Sequence, residues 1–120
     1  GDDFGFACLG IGPLSEGHAL VSPKEPAATI DVLSDDHAAA VGRVLPRITR
    51  AIQKVTGATA VNILQNNGAP AGQSVDHVHF HIVPRYVDRA EGVGLLVDWK
   101  PGNLSQEEAL ELGKQIKRLL

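Results

Sequence analysis

Apolar residues recur at three- and four-residue steps from Ala38 through Val41, Leu45, Ile48 and Ile52 to Val55. That spacing makes one stripe of an amphipathic helix, the form a helix takes when one side packs on a sheet. Ser34 stands where a helix cap belongs, and Asp35 and Asp36 fall where the helix dipole favours acids. Gly57 stops the run. Arg43, Arg47, Arg50 and Lys54 lie elsewhere on the wheel and read as a solvated face. Pro46 sits inside the stripe; an interior proline removes a hydrogen bond at a cost of about 3 kcal/mol, so a kink or a break is expected there. A second helix opens at the capping box Ser105-x-x-Glu108, with Ala109, Leu112, Ile116 and Leu119 inward.

Elsewhere the period shortens to two. Phe4 and Phe6 alternate within residues 1–10, and residues 18–22 form a second strand stopped by Pro23 and Pro26. Residues 60–65 place Val61 and Ile63 on one face, and residues 75–83 make a strand ended by Pro84. Residues 95–99 add a short edge piece. Between strands, residues 11–17 are a Gly- and Pro-rich loop, and Asn66-Asn67-Gly68 is a turn that Ala69-Pro70-Ala71-Gly72 lengthens. These elements predict an α+β fold, a mainly antiparallel sheet with helices packed on one face.

Length changes this picture little, since 120 residues make one domain. Composition excludes more. Hydrophobic residues at 43% and charged residues at 21% are those of a globular chain. A net charge of −3 argues against a broad nucleic-acid surface but leaves room for a local anion pocket. Cys8 is the only cysteine, so neither an internal disulfide nor a CxxC metal pair can form; it reads as a small buried hydrophobe. No apolar run approaches the roughly 18 residues of a membrane span, and no signal-peptide pattern is present. A soluble protein of the reducing cytoplasm is expected.

Chemistry concentrates in His77-Val78-His79-Phe80-His81-Ile82-Val83-Pro84, which holds three of the five histidines. In a strand, residues two apart share a face, so the three imidazoles line one side while Val78, Phe80 and Ile82 enter the core. In a helix His79 would swing away from the other two. Like charges so placed disfavour full protonation, and a neutral ring has a lone pair to attack phosphorus, bind a metal or accept a proton. The His-x-His spacing alone admits a metal-dependent hydrolase. Gly72-Gln73-Ser74 just upstream offers backbone and neutral donors to phosphate oxygens, and Asn66 can enter from the preceding strand end. His37, at a helix start, reads as solvated, and Trp99 as a cover for a sheet edge.

These residues resemble the histidine triad (HIT) family, whose hallmark is His-φ-His-φ-His-φ-φ with φ apolar; residues 77–83 fit it throughout. The likeness extends to Asn66-Asn67-Gly68…Gly72-Gln73-Ser74-Val75, to Pro84-Arg85-Tyr86, and to residues 13–24 near the start. It implies a HIT-like fold that pairs as a homodimer. It also implies nucleotidyl hydrolysis or transfer on a nucleoside phosphoramidate, acyl-nucleotide or dinucleoside polyphosphate. By resemblance His79 is the nucleophile and His81 the partner of the phosphate oxygens. His77 orients the nucleophile through its carbonyl, His18 is a distant fourth histidine, and Ser74 is the donor near the leaving group. Gln73 and Asn66 become phosphate or leaving-group contacts, and Ile11 packs on a base. No cofactor and no metal are implied. Two departures stand out. The strand, helix and zinc region that begin longer relatives have no counterpart in a single domain spanning residues 1–120. Gly10 also occupies the place of a ribose-binding acid. A nucleotide-binding module with little turnover therefore stays open beside the hydrolase.

Overall fold

The computed structural model describes residues 4–10, 12–88 and 101–120. Four strands form one antiparallel sheet: β1 (Phe4–Cys8), β2 (Ala19–Pro23), β3 (Ala60–Gln65) and β4 (Phe80–Arg85), in the order β1-β2-β4-β3. Two α-helices accompany them, α1 (Asp35–Thr56) and α2 (Gln106–Arg118). The α+β expectation holds; the expected edge piece at residues 95–99, with Trp99, and the loop residue Ile11 lie outside the described residues.

Register explains which side carries what. Ala19 lies opposite Ile82 and Val21 opposite Phe80, whereas Leu20 and Leu64 flank His81 on the other face. The first face is the core. Ala19, Val21 and Ile82 are fully buried against Val41, Val44 and Ile52 of α1, with Phe4, Leu45, Ile48 and Phe80 packed around them. Each such aliphatic side chain contributes about 1.5–3 kcal/mol through its removal from water. The inward stripe of α1 is shorter than the sequence pattern suggests: Ala38 and Val55 are exposed.

The caps are as the sequence implies. The Ser34 hydroxyl accepts from the His37 amide, and Gly57 ends the helix at φ +77°, a left-handed angle that costs glycine nothing. Pro46 does not break α1, which runs unbroken for 22 residues. Pro46 is exposed, so the carbonyl left without its intrahelical donor, that of Gly42, sits on the solvent side where water can serve it. α2 forms behind its capping box, yet Ala109, Leu112, Ile116 and Leu119 are exposed rather than inward, as are all of residues 101–120.

Two strand boundaries move. β4 begins at Phe80, not residue 75, and continues through Pro84 to Arg85. Upstream, the backbone bonds outside the sheet: His77 N–H donates to the Val75 carbonyl at 2.8 Å and Val78 N–H to the Ala27 carbonyl at 2.9 Å. The two-residue alternation survives without the ladder, since Val78 and Ile82 are both fully buried. Pro84 pairs opposite Val61 at the end of the ladder, where its missing N–H is tolerated. Cys8 is exposed on the outer strand β1, against the expectation of burial.

Candidate active site

Only His81 belongs to a strand proper. His77 and His79 stand in the bend that leads into β4, and His18 immediately precedes β2. The fold nonetheless brings three imidazoles together, and the His77 ring lines a hollow shared with His79. His18 and His81 have ring centroids 5.2 Å apart, and His79 and His81 have theirs 5.0 Å apart, edge to face.

Fixed donors and acceptors of the backbone set the tautomers of these four rings in their neutral forms. The Leu14 N–H, which can only donate, points to His18 Nδ1 at 3.1 Å. The proton of neutral His18 is therefore on Nε2, and it donates to His81 Nδ1 at 3.0 Å. His81 in turn carries its proton on Nε2. His79 Nδ1 faces the His77 carbonyl at 2.8 Å, so Nδ1 is the protonated atom and Nε2 holds the lone pair. His77 Nε2–H donates to the Pro23 carbonyl at 2.9 Å. Burial, with the positive field of Arg85 second, holds His18 below the usual histidine range. Burial also lowers His81, with the His79 and His18 rings adding to it. A desolvated ring resists taking a charge, so His81 stays a neutral donor.

The loop carrying His18 is itself fastened. Ser15 Oγ donates to the Pro84 carbonyl at 2.7 Å, and Tyr86 Oη donates to the Glu16 carbonyl at 2.7 Å. Gly17 has φ +87°, and a Cβ there would lie 3.0 Å from Thr56 Cγ2. Beside the cluster, a hollow of about 230 Å³ is lined by Leu20, Ser22, Val75, His77, Val78 and His79. It is mostly apolar and suits a flat ring next to His79.

Of the remaining sequence-derived residues, Ser74 is exposed in the loop ahead of the histidines, and Asn66 is half-buried, with its amide beside Gly72. Gln73 is committed to loop bonds: its oxygen accepts from Gly68 N–H, and its nitrogen donates to the Ala28 and Val75 carbonyls. Ile11 lies outside the described residues. His37 is half-buried, bonded to Ser34 and 3.7 Å from Glu25, away from the cluster. Among the described residues no three His, Cys, Asp or Glu side chains are set to hold a metal ion. The Leu14 amide and the Pro23 carbonyl escape sequence reading, because a backbone group leaves no residue-type signal.

The arrangement sets the His79 ring, bonded to backbone through Nδ1, beside the His81 ring and an adjoining apolar hollow. The chain is 46% identical over 111 residues to the adenosine 5'-monophosphoramidase hnt1 of Schizosaccharomyces pombe, spanning 92% of this chain and 78% of that protein. It is 43% identical over 84 residues to the adenylylsulfatase HINT3 of Arabidopsis thaliana, spanning 70% of this chain and 43% of that one. Its fold superposes on the crystal structure of a HIT family protein from Bacillus subtilis with a TM-score of 0.87 at 31% identity, covering 100% of this chain and 84% of that one. Residues 2–88 match the HIT domain, and with the histidine cluster inside that span the chain belongs to the HIT family.

Proposed function

We propose that the protein is a nucleotidyl hydrolase that cleaves a nucleoside phosphoramidate, or a related acyl-nucleotide or dinucleoside polyphosphate, at the α-phosphorus. The observation that carries this is the His79 Nδ1–H bond to the His77 carbonyl, which leaves Nε2 as the nucleophile. Nε2 attacks phosphorus and a P–Nε2 bond forms. The bond from phosphorus to the leaving nitrogen breaks, and that nitrogen departs as an amine after taking a proton from solvent. Water then attacks phosphorus and gives up a proton to solvent, the P–Nε2 bond breaks, and the nucleoside monophosphate leaves with the His79 lone pair restored. His81 Nε2–H donates to a phosphoryl oxygen as charge builds, the kind of preorganised donor that lowers such barriers most. Ser74 stands for the leaving group and Asn66 for the phosphate. The names of the relatives, a phosphoramidase and an adenylylsulfatase, support a substrate of this class. With Gly10 where a ribose-binding acid would stand, the sugar hydroxyls are read weakly.

We take the working form to be a cytoplasmic homodimer. The apolar residues of α2, among them Leu110, Leu112 and Ile116, are uncovered in the single chain, and a second copy would cover them. No helix among the described residues is long and apolar enough to cross a membrane. The test of the enzymatic reading is trapping by an alkaline denaturing quench with adenosine 5'-phosphoramidate labelled at phosphorus. A base-stable, acid-labile label on His79, absent from His79→Ala, is the expected result. Turnover without any protein-bound label, or turnover lost to chelators and restored by a divalent ion, would defeat it.

A further inference from the structure

Gln73 has the right chemistry to touch a phosphate, but its donors are already used. A primary amide offers two N–H donors. One goes to the Ala28 carbonyl at 2.6 Å and the other to the Val75 carbonyl at 2.9 Å, while the amide oxygen accepts from Gly68 N–H at 2.7 Å. An anionic oxygen needs donors, and none is left.

The bonds that Gln73 makes lead instead to the nucleophile. The Val75 carbonyl that it holds also accepts from His77 N–H at 2.8 Å. The His77 carbonyl, on the same residue, accepts from His79 Nδ1 at 2.8 Å. A second strap runs alongside: Val78 N–H donates to Ala27, next to the Ala28 carbonyl that Gln73 grips. One side chain thus ties the loop after β2, the turn at Gly68 and the bend that carries His77 and His79. No regular ladder holds that bend; isolated backbone bonds and the Gln73 strap hold it instead.

We infer that Gln73 is a positioning residue that fixes the carbonyl directing the His79 tautomer, and not a phosphate contact. This rests on the reading of His79 as nucleophile, and it makes different predictions. A leaving-group contact acts only while the covalent intermediate forms, and a phosphate contact weakens substrate binding and leaves the His79 tautomer of the free enzyme unchanged. A residue that holds the His79 ring acts on its formation and on its hydrolysis alike.

The experiment compares wild type with Gln73→Ala and Gln73→Glu, using adenosine 5'-phosphoramidate in rapid-quench kinetics. Loss of positioning by a fraction of an ångström to one ångström should slow both half-reactions by similar factors, about 10- to 100-fold, with KM little changed. Slowing of formation alone, or a raised KM at unchanged kcat, would overturn the inference. Gln73→Glu keeps the acceptor for Gly68 and the side-chain size, so it serves if the alanine variant does not fold. Protonation of its carboxyl at acid pH returns one donor, and its rate relative to wild type should rise as pH falls; a flat ratio counts against the strap. Nitrogen-15 spectra of the histidine rings, taken without substrate, give a separate arm. Wild type should show His79 protonated on Nδ1, and both variants a mixture of tautomers. An unchanged tautomer in both variants sinks the positioning role even if no covalent adduct is ever found, whereas a missing adduct alone would count against the nucleophile reading.

Discussion

The four histidines divide into two pairs held in different ways. His18 and His81 hold each other ring to ring, at the start of β2 and within β4, and burial lowers the proton affinity of both. His77 and His79 are held ring to backbone in a bend outside the ladder, through the Pro23 and His77 carbonyls. The ring-to-ring pair fixes a donor: with Leu14 N–H on one end, the only direction for its protons is outward through His81 Nε2. The ring-to-backbone pair fixes an acceptor, because a carbonyl demands the Nδ1 proton and leaves Nε2 bare. On the proposed mechanism, rigid strand register serves the group that stabilises charge, and an irregular bend supplies the group that reaches the substrate.

Four measurements would break or sharpen that division. The largest effect belongs to His79→Ala, which should lower kcat by at least about 10⁴-fold and abolish the covalent adduct, since loss of a nucleophile removes the step itself. Residual turnover within tenfold of wild type would mean that the bare Nε2 is not the attacking atom. His81→Ala should cost roughly 10²–10³ in rate, as for a single oxygen donor, while adduct still accumulates slowly. If the adduct disappears as completely as in His79→Ala, the two pairs do not have separate roles.

His18→Phe should be milder, about tenfold in kcat, the order lost when one strut of a positioned group is removed. It releases His81 Nδ1 to take a proton, so the acid limb of the pH–rate profile should move to higher pH. An unmoved limb would show that His18 does not control the state of His81.

Stability gives the smallest signal. Because the folded His18 and His81 bind protons less readily than in the unfolded chain, unfolding takes up protons when the pH is low enough. Their contribution is complete above the ordinary histidine value of about 6.5 and is lost as pH falls through their lowered folded values. Tm should therefore drop on acidification below that point, and drop less steeply in His81→Gln. Equal slopes would place the acid sensitivity elsewhere.

Much of this was readable before any coordinates. Ser34, the α1 stripe from Val41 to Ile52 and Gly57 specified a helix because each acts locally, through a cap, a period and a left-handed angle. The three alternating histidines marked the segment where the imidazole contacts form. Cys8, Val55 and the apolar residues of α2 show where such reading stops: pattern states which side of an element is apolar, and not whether anything lies against it. Gln73 shows the same limit for polar groups. Its residue type suits a phosphate, and only the positions of Ala28, Val75 and Gly68 reveal that its bonds are spent.

By itself the chain determined its strands and helices to within a few residues, the shared side of the imidazoles and the family to which it belongs, since these depend on neighbours in sequence. Folding decided the rest. A histidine 63 positions away became the partner of His81, backbone groups at Leu14, Pro23 and His77 assigned each proton, and the strand ladder gave way to a bend at residues 75–79. A hydrogen bond is set by distance and angle, and the atoms that impose those on an imidazole come from segments whose proximity no local pattern encodes.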